Sequence, residues 1–296
     1  MSLVINHNMM AANTARNLNT HYSALSKSTQ RLSTGLRVNS AADDAAGLAI
    51  RELMRTDISA LQQGVRNAND AISLIQTADG ALGVIDEKLT RMKELAEQAA
   101  TGTYDSTQRL MIDSEYQAMA SEITRIANAT DFNGIHLLNG DLSGDDHDGS
   151  GVVSKGKMKV HFGTMNDSAE DYYYIQIGTS TASALGVGNS AGTSSLAYTV
   201  STQQAAQSAL VGINNAVVSK DNIRAHLGAL QNRLENTISN LTTQAENLQA
   251  AESRISDVDV ATEMTNFVRN QILTQSAVAM LSQANSMPQM ALSLIS

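Results

Sequence analysis

From Met54 to Ala99 the small and apolar positions fall at alternating steps of four and three: Met54, Ile58, Leu61, Val65, Ala68, Ile72, Ile75, then Leu82, Ile85, Leu89, Met92, Ala96 and Ala99. One gap occurs at Asp79, where Ala78 stands beside the stripe. A seam of that spacing is buried only when the segment is one continuous helix laid against another helix. At about 1.5 Å per residue, a helix of about 45 to 55 residues is roughly 70 to 80 Å long, and the expected molecule is a rod. A second seam places Leu227, Leu234, Leu241, Leu248 and Ile255 every seven residues, with Ile223, Leu230 and Ala251 on part of the companion register. Thr237 and Gln244 interrupt that register, so a packed bundle is expected in place of an ideal zipper. The chain has no Trp and 3 Phe, so a core must come from Leu, Ile, Val, Met and Ala, which suits long helices better than layered sheets. Proline would break such helices, and only Pro288 occurs.

Both ends of the chain carry similar stripes. Near the start they are Ala11, Ala15, Leu18, Tyr22, Leu25, Thr29 and Leu32; the last 40 residues are denser, with Val260, Met264, Phe267, Ile272, Leu273, Val278, Met280, Leu281 and Met290 among them. Each such side chain left in water forgoes roughly 1.5 to 3 kcal/mol, so the stripes require partners: one another, or other copies of the chain. Residues 140 to 200 differ in kind and are rich in glycine. Within them Met158, Val160 and Phe162 alternate with Lys157, Lys159 and His161, and Tyr173, Ile175 and Ile177 alternate with Tyr172, Tyr174 and Gln176. Two runs of period two predict a β-hairpin over about residues 157–178. The expected fold is mainly α, a long antiparallel coiled-coil or bundle rod with this small β element in mid-chain.

Little in the sequence suggests reaction chemistry. A net charge of −9 and a pI near 5.1 argue against a nucleic-acid partner. The absence of Cys removes disulfides, thiolate catalysis and Cys-ligated metals together. No apolar run is long enough to span a bilayer, so no membrane insertion is expected, and the N-terminus has neither the basic nor the apolar region of a signal peptide. The adjacent carboxylates in NSAADDAAGLAI are a tempting metal pair, but Ser40-Ala-Ala-Asp43 has the spacing of a helix-capping signature, so Ser40 and Asp43 are expected to cap the helix that follows. Asp146-His-Asp148-Gly-Ser150-Gly151 copies the first half of a calcium loop, whose twelfth position should be Glu and here is Lys157. A surface module binding a cation or acting as an adhesin through that loop is the reading from another functional class. None of the six His falls at metal-ligand spacing, and the chain has no P-loop, no G-x-G-x-x-G and no G-x-S-x-G elbow. No catalytic, cofactor-binding or metal-binding residue is therefore assigned, no cofactor is expected, and an enzyme is not.

Six stretches together resemble bacterial flagellin: VINHNMMAANTARNLN at the start, QRLSTGLRVNSAADDAAGLAIRE at 30–52, MKELAEQAATGTYD at 92–105, DFNGIHLLNG at 131–140, SRISDVDVATEMTNFVRNQIL at 253–273 and QANSMPQMALSLIS at 283–296. They cover about residues 1–140 and 200–296 in the family's order, and the short middle implies a form without large outer domains. The resemblance implies a subunit that polymerises into the flagellar filament. It also implies an extracellular location reached through the flagellar type III apparatus without a cleaved signal peptide. Residues 1–40 and 257–296 would form the inner-tube domain, and 41–256 the surrounding rod domain with its hairpin. Assembly contacts are expected from Leu3, Ile5, Leu18, Tyr22, Leu25 and Leu32 at one end and Met264, Phe267, Ile272, Leu281, Leu292, Leu294 and Ile295 at the other. Ordinary coiled-coil packing within one chain is the alternative for each. Implied partners are other subunits, hook-junction and cap proteins, an export chaperone on residues 257–296, and the vertebrate Toll-like receptor that senses flagellin, through Arg91, Leu95 and Glu115. A hook–filament junction protein of the same export system is the nearest rival.

Overall fold

The computed structural model describes residues 7–147, 155–168, 170–188 and 199–295, with side chains to residue 290. Its helices are α1 (Met9–Thr34), α2 (Ala45–Ala100), α3 (Ser106–Ala129), α4 (Gln203–Ser256) and α5 (Val260–Ile295). Its strands are β1 (Asp131–Phe132), β2 (Ile135–His136), β3 (Met158–His161) and β4 (Tyr172–Ile175). Mainly helical with a small hairpin region, this is the fold class the apolar spacing predicts. Residues 1–58 and 246–296 form one compact unit, here the terminal unit, and residues 59–245 form a central unit.

In the terminal unit α1 and α5 pair antiparallel. The Asn8 side chain caps α1 by accepting from the Ala11 N–H, and its amide donates to the Ala284 carbonyl at 2.7 Å; at the other end Arg31 faces Glu263 at 3.6 Å. The pairing positions on α1 are Ala11, Thr14, Leu18, His21, Leu25, Ser28 and Leu32, all buried or half-buried. They step by three and four, and so do Glu263, Phe267, Asn270, Thr274, Ala277, Leu281 and Ala284 on α5. Tyr22 and Thr29 fall outside the seam, their places taken by His21 and Ser28. Past α1, Leu36 forms a bridge with Asp257, the Arg37 N–H donates to Ser256 at 2.6 Å, and the Val258 N–H donates to Gly35 at 3.0 Å.

In the central unit Leu82, Ile85, Leu89, Met92, Ala96 and Ala99 are all fully buried. Helix α3 contributes Ile112, Tyr116, Ala120, Ile123 and Ala127. The seam on α4 begins well before its leucines, with Ala206, Ala209, Ile213, Ala216 and Lys220, and runs on through Leu227 and Leu234 to Leu241. Alanine gives little periodic signal and a lysine gives a contrary one, so this half of the seam was not legible in the sequence. Strands β3 and β4 pair antiparallel with Val160 opposite Tyr173, and Val160 and Ile175 are buried together with Phe162 and Ile177 just beyond the strands. Three contacts fix the hairpin. Asn67 of α2 donates to the His161 carbonyl at 2.8 Å, the Arg233 guanidinium of α4 lies 3.5 Å over the Tyr173 ring, and Gly64 of α2 lets the Phe162 backbone approach. The tighter β1–β2 hairpin was not predicted. It turns on Asn133 and Gly134, both at positive φ, the conformation that two-residue hairpin loops favour.

Two glycines of α2 make opposite predictions. A Cβ at Gly64 would run into the Phe162 carbonyl, whereas one at Gly80 meets nothing. Gly64→Ala is expected to destabilise the chain by about 1 to 3 kcal/mol through overpacking against backbone. Gly80→Ala should stabilise it by up to about 1 kcal/mol through helix propensity. Denaturant unfolding of both variants checks the signs.

Candidate assembly interface

Helix α5 holds more large apolar side chains than its pairing with α1 can cover. The face toward α1 is largely small or polar, Asn270, Thr274, Ala277 and Ala284 among them, whereas Val260, Met264, Val268 and Ile272 form an outward row at i, i+4 spacing, with Ile272 57% exposed. Leu273, Val278 and Met280 are exposed as well. An apolar row on the outer side of a helix calls for a covering surface, and the terminal unit covers α5 on one side only. Tyr22 on α1 is 65% exposed, and Ile50 and Leu53 in the first turns of α2 are exposed in the same unit.

The expected assembly residues therefore separate. Leu18, Leu25, Leu32, Phe267 and Leu281 are half-buried on the α1–α5 seam; Tyr22, Met264 and Ile272 are exposed. Leu3 and Ile5, and the side chains of Leu292, Leu294 and Ile295, lie outside the described residues. Sequence reasoning missed Ile50, Leu53 and Val268. The signal available for Val268 was the count of apolar residues on α5, which exceeds what one stripe needs.

Between α1 and α2 the expected cap moves by several residues. The Asp44 carboxylate accepts from the Gly47 N–H at 2.8 Å and its carbonyl from the Leu48 N–H at 3.0 Å, so Asp44 caps α2. Ser40 sits in the preceding turn, where the Asp43 N–H donates to its carbonyl at 3.0 Å. One carboxylate oxygen of Asp43 accepts from the Asn39 and Ser40 N–H groups and the Ser40 hydroxyl, and the other meets the Lys27 ammonium of α1 at 2.6 Å. The correction has a physical cause: a cation on α1 holds Asp43 away from the helix end and leaves its neighbour to cap. Lys27, aided by the Asn39 N–H and the Ser40 hydroxyl against the effect of burial, lowers the Asp43 carboxyl to about 2. Arg51, nearly buried, donates to the Val38 carbonyl at 2.8 Å and pins the same connection from α2.

In the central unit the Arg91 guanidinium donates to Glu115 at 2.8 and 3.0 Å and to Glu94 at 2.9 Å. All three residues are exposed, and both carboxylates hold the guanidinium charged by raising its pKa. Leu95 is 2% exposed and belongs to the core beneath them, so it has no surface to offer a partner. Among the described residues no three His, Asp or Glu side chains gather as a metal site, and Asp148 through Gly151 of the acidic loop lie outside the described residues.

An outward apolar row on a terminal helix, with polar contacts fixing the helix pair and no metal-holding cluster of side chains among the described residues, is the design of a helical structural protein. A family model described as the bacterial flagellin N-terminal helical region matches residues 5–142, and one described as the C-terminal helical region matches residues 210–295. The chain is 41% identical over 293 residues to the flagellar filament 33 kDa core protein of Treponema phagedenis, covering 99% of this chain and all of that one. It is 41% identical over 307 residues to the flagellin of Bacillus subtilis, covering 98% and 99% of the two chains. Among solved structures, Bacillus cereus flagellin aligns with a TM-score of 0.46 and 29% identity over 63% of this chain and 94% of that one. The chain belongs to the bacterial flagellin family and is a structural subunit of the flagellar filament. The full-length match to filament proteins does not favour a junction protein.

The Asp43–Lys27 pair predicts a pH dependence. The folded pKa of about 2 lies below the ordinary 3.8, so the pair's contribution is present in full above about pH 4 and is lost as pH falls toward 2. Asp43→Asn removes the contribution at every pH, so the difference in melting temperature between wild type and variant should shrink as pH is lowered from 5 to 2. A difference independent of pH would refute the assignment.

Proposed function

We propose that this flagellin polymerises through the outward apolar faces of α1 and α5, which pack against neighbouring subunits in the filament interior. The observation that carries the reading is the exposed row Val260, Met264, Val268 and Ile272 on a helix already paired on its other side. On this reading residues 1–40 and 257–296 form the inner-tube domain, residues 41–256 form the domain around it, and Leu3, Ile5, Leu292, Leu294 and Ile295 extend the same contacts. The contact joins different patches on successive copies, so it propagates as a helix and does not close into a dimer.

The same face suits the steps before assembly. An unpolymerised terminal unit must be shielded, and the dense apolar pattern over 257–296 fits an export chaperone that takes a helix into a groove. Delivery through the flagellar type III apparatus to an extracellular filament, bounded by hook-junction and cap proteins, completes the scheme. Recognition by the flagellin-sensing Toll-like receptor would use the exposed Arg91 of α2 and Glu115 of α3, with Leu95 supporting α2 from within.

Two experiments test these readings. Ile272→Asp in the full chain should leave helical circular dichroism unchanged and abolish filaments in negative-stain electron microscopy after seeding or salting out; normal filaments would remove the assembly role of this row. Arg91→Ala should weaken receptor activation by the monomer roughly tenfold, because charge-assisted hydrogen bonds contribute about 1.5 to 3 kcal/mol. Unchanged activation would discard the receptor site.

A further inference from the structure

A cavity of about 350 Å³ opens in the central unit between α2, the β1–β2 turn and β3. Its walls are mostly apolar, formed by Leu74, Phe132, Ile135, Met158 and Val160, and Asp70 and Lys159 stand at it as well. Elsewhere on the same unit, Leu110 and Met111 near the start of α3 are 58% and 69% exposed. Among the described residues of that unit, they are the one pair of consecutive large apolar side chains left in solvent. The two features cannot meet within one chain. Arg109, next to the pair, donates to the Ala99 carbonyl at 2.9 Å, so α3 starts beside Ala99, whereas the cavity touches α2 from Asn67 to Leu74. From residue 74 to residue 99 is 25 residues, roughly 38 Å along α2 at about 1.5 Å per residue.

Their charges also match. Asp70 and Lys159 are in no ion pair among the described residues, and Lys159 satisfies itself with the Asn166 side chain at 3.2 Å and the Tyr172 ring at 3.6 Å. Asp105 and Arg109, both just before the apolar pair, are likewise without an ionic partner among the described residues; Asp105 caps α3 by accepting from the Ser106 N–H at 2.6 Å, and Arg109 donates to the carbonyls of Ala99 and Thr101. A subunit that polymerises needs two distinct complementary patches, because a patch that fits itself closes a dimer and stops.

We propose that Leu110 and Met111 of one subunit insert into this cavity on the next copy of the chain, with Asp105 facing Lys159 and Arg109 facing Asp70. The contact is head-to-tail within the central units and separate from the α1–α5 faces. It rests on the polymer reading above and names a second surface for it.

The native chain has no Cys, so engineered pairs report contacts without background. The full-length Met111→Cys, Met158→Cys double variant is polymerised on seeds, oxidised, and run on a denaturing non-reducing gel. A ladder at multiples of the 31.4 kDa chain is expected from filaments, with neither single variant passing a dimer and the unpolymerised double variant remaining monomeric. Filaments of the double variant that yield no ladder overturn the proposal and leave the polymer reading intact. Failure of the unaltered chain to form filaments under the same conditions overturns the polymer reading itself. Leu110→Asp, at an exposed position that spares the fold, should raise the critical concentration for elongation at least tenfold; an unchanged value also overturns the proposal.

Discussion

Burial of small and aliphatic side chains along unbroken helices is the constraint on which the central unit depends. With so few aromatic rings, most of the dry volume must be gathered along length. That is why every seam position from Leu82 through Ile85, Leu89, Met92 and Ala96 to Ala99 is fully buried and why α4 answers with alanines over its first turns. Lys220 occupies one seam position at 2% exposure, bonded to Asp86 at 2.5 Å and Asp221 at 2.8 Å, both of which reach toward solvent. Burial works to lower its pKa, but the two carboxylates overcome it and the ammonium is held charged. A buried charge with fixed partners penalises sliding of one helix past another, because a shifted register strands it. Arg224 on Asp79, one helical turn along, repeats the constraint at the surface.

The terminal unit follows a different economy. Its helix pair mixes Leu18, Leu25, Leu32, Phe267 and Leu281 with serine, threonine, asparagine and alanine positions, has Arg31 and Glu263 at one end, and leaves Val260, Met264, Val268 and Ile272 facing away. Ordering backbone costs roughly 1 to 2 kcal/mol per residue, and covering the outward row on the proposed assembly would add burial that this seam alone does not provide.

What was legible in the sequence follows the strength of each physical signal. The α2 seam could be read because four-and-three spacing over so many residues has no competing explanation, and the β3–β4 hairpin because two runs alternate strictly. On α1 the apolar spacing runs through Tyr22 and Thr29, one residue from the seam at His21 and Ser28. Polar residues occupy the buried side there and a large ring the exposed side, so hydrophobicity pointed the wrong way. Leu95 shows the reverse: named for contact on the resemblance alone, it stands beside the seam residue Ala96 and is buried with it. The displaced cap at Asp44 depends on Lys27, which no local motif includes. The β1–β2 pair has too few residues to show a period.

The bridge from Leu36 to Asp257, with the Gly35–Val258 and Arg37–Ser256 hydrogen bonds beside it, ties together segments more than two hundred residues apart. Synthesis proceeds from the N-terminus, so α1 emerges long before any of its partners exist. The central unit, complete by residue 245, can close while α1 waits. Contacts of such high sequence separation form late and slowly. The order of folding is thereby written into the topology: the pairing of α1 with α5 is the last to take shape.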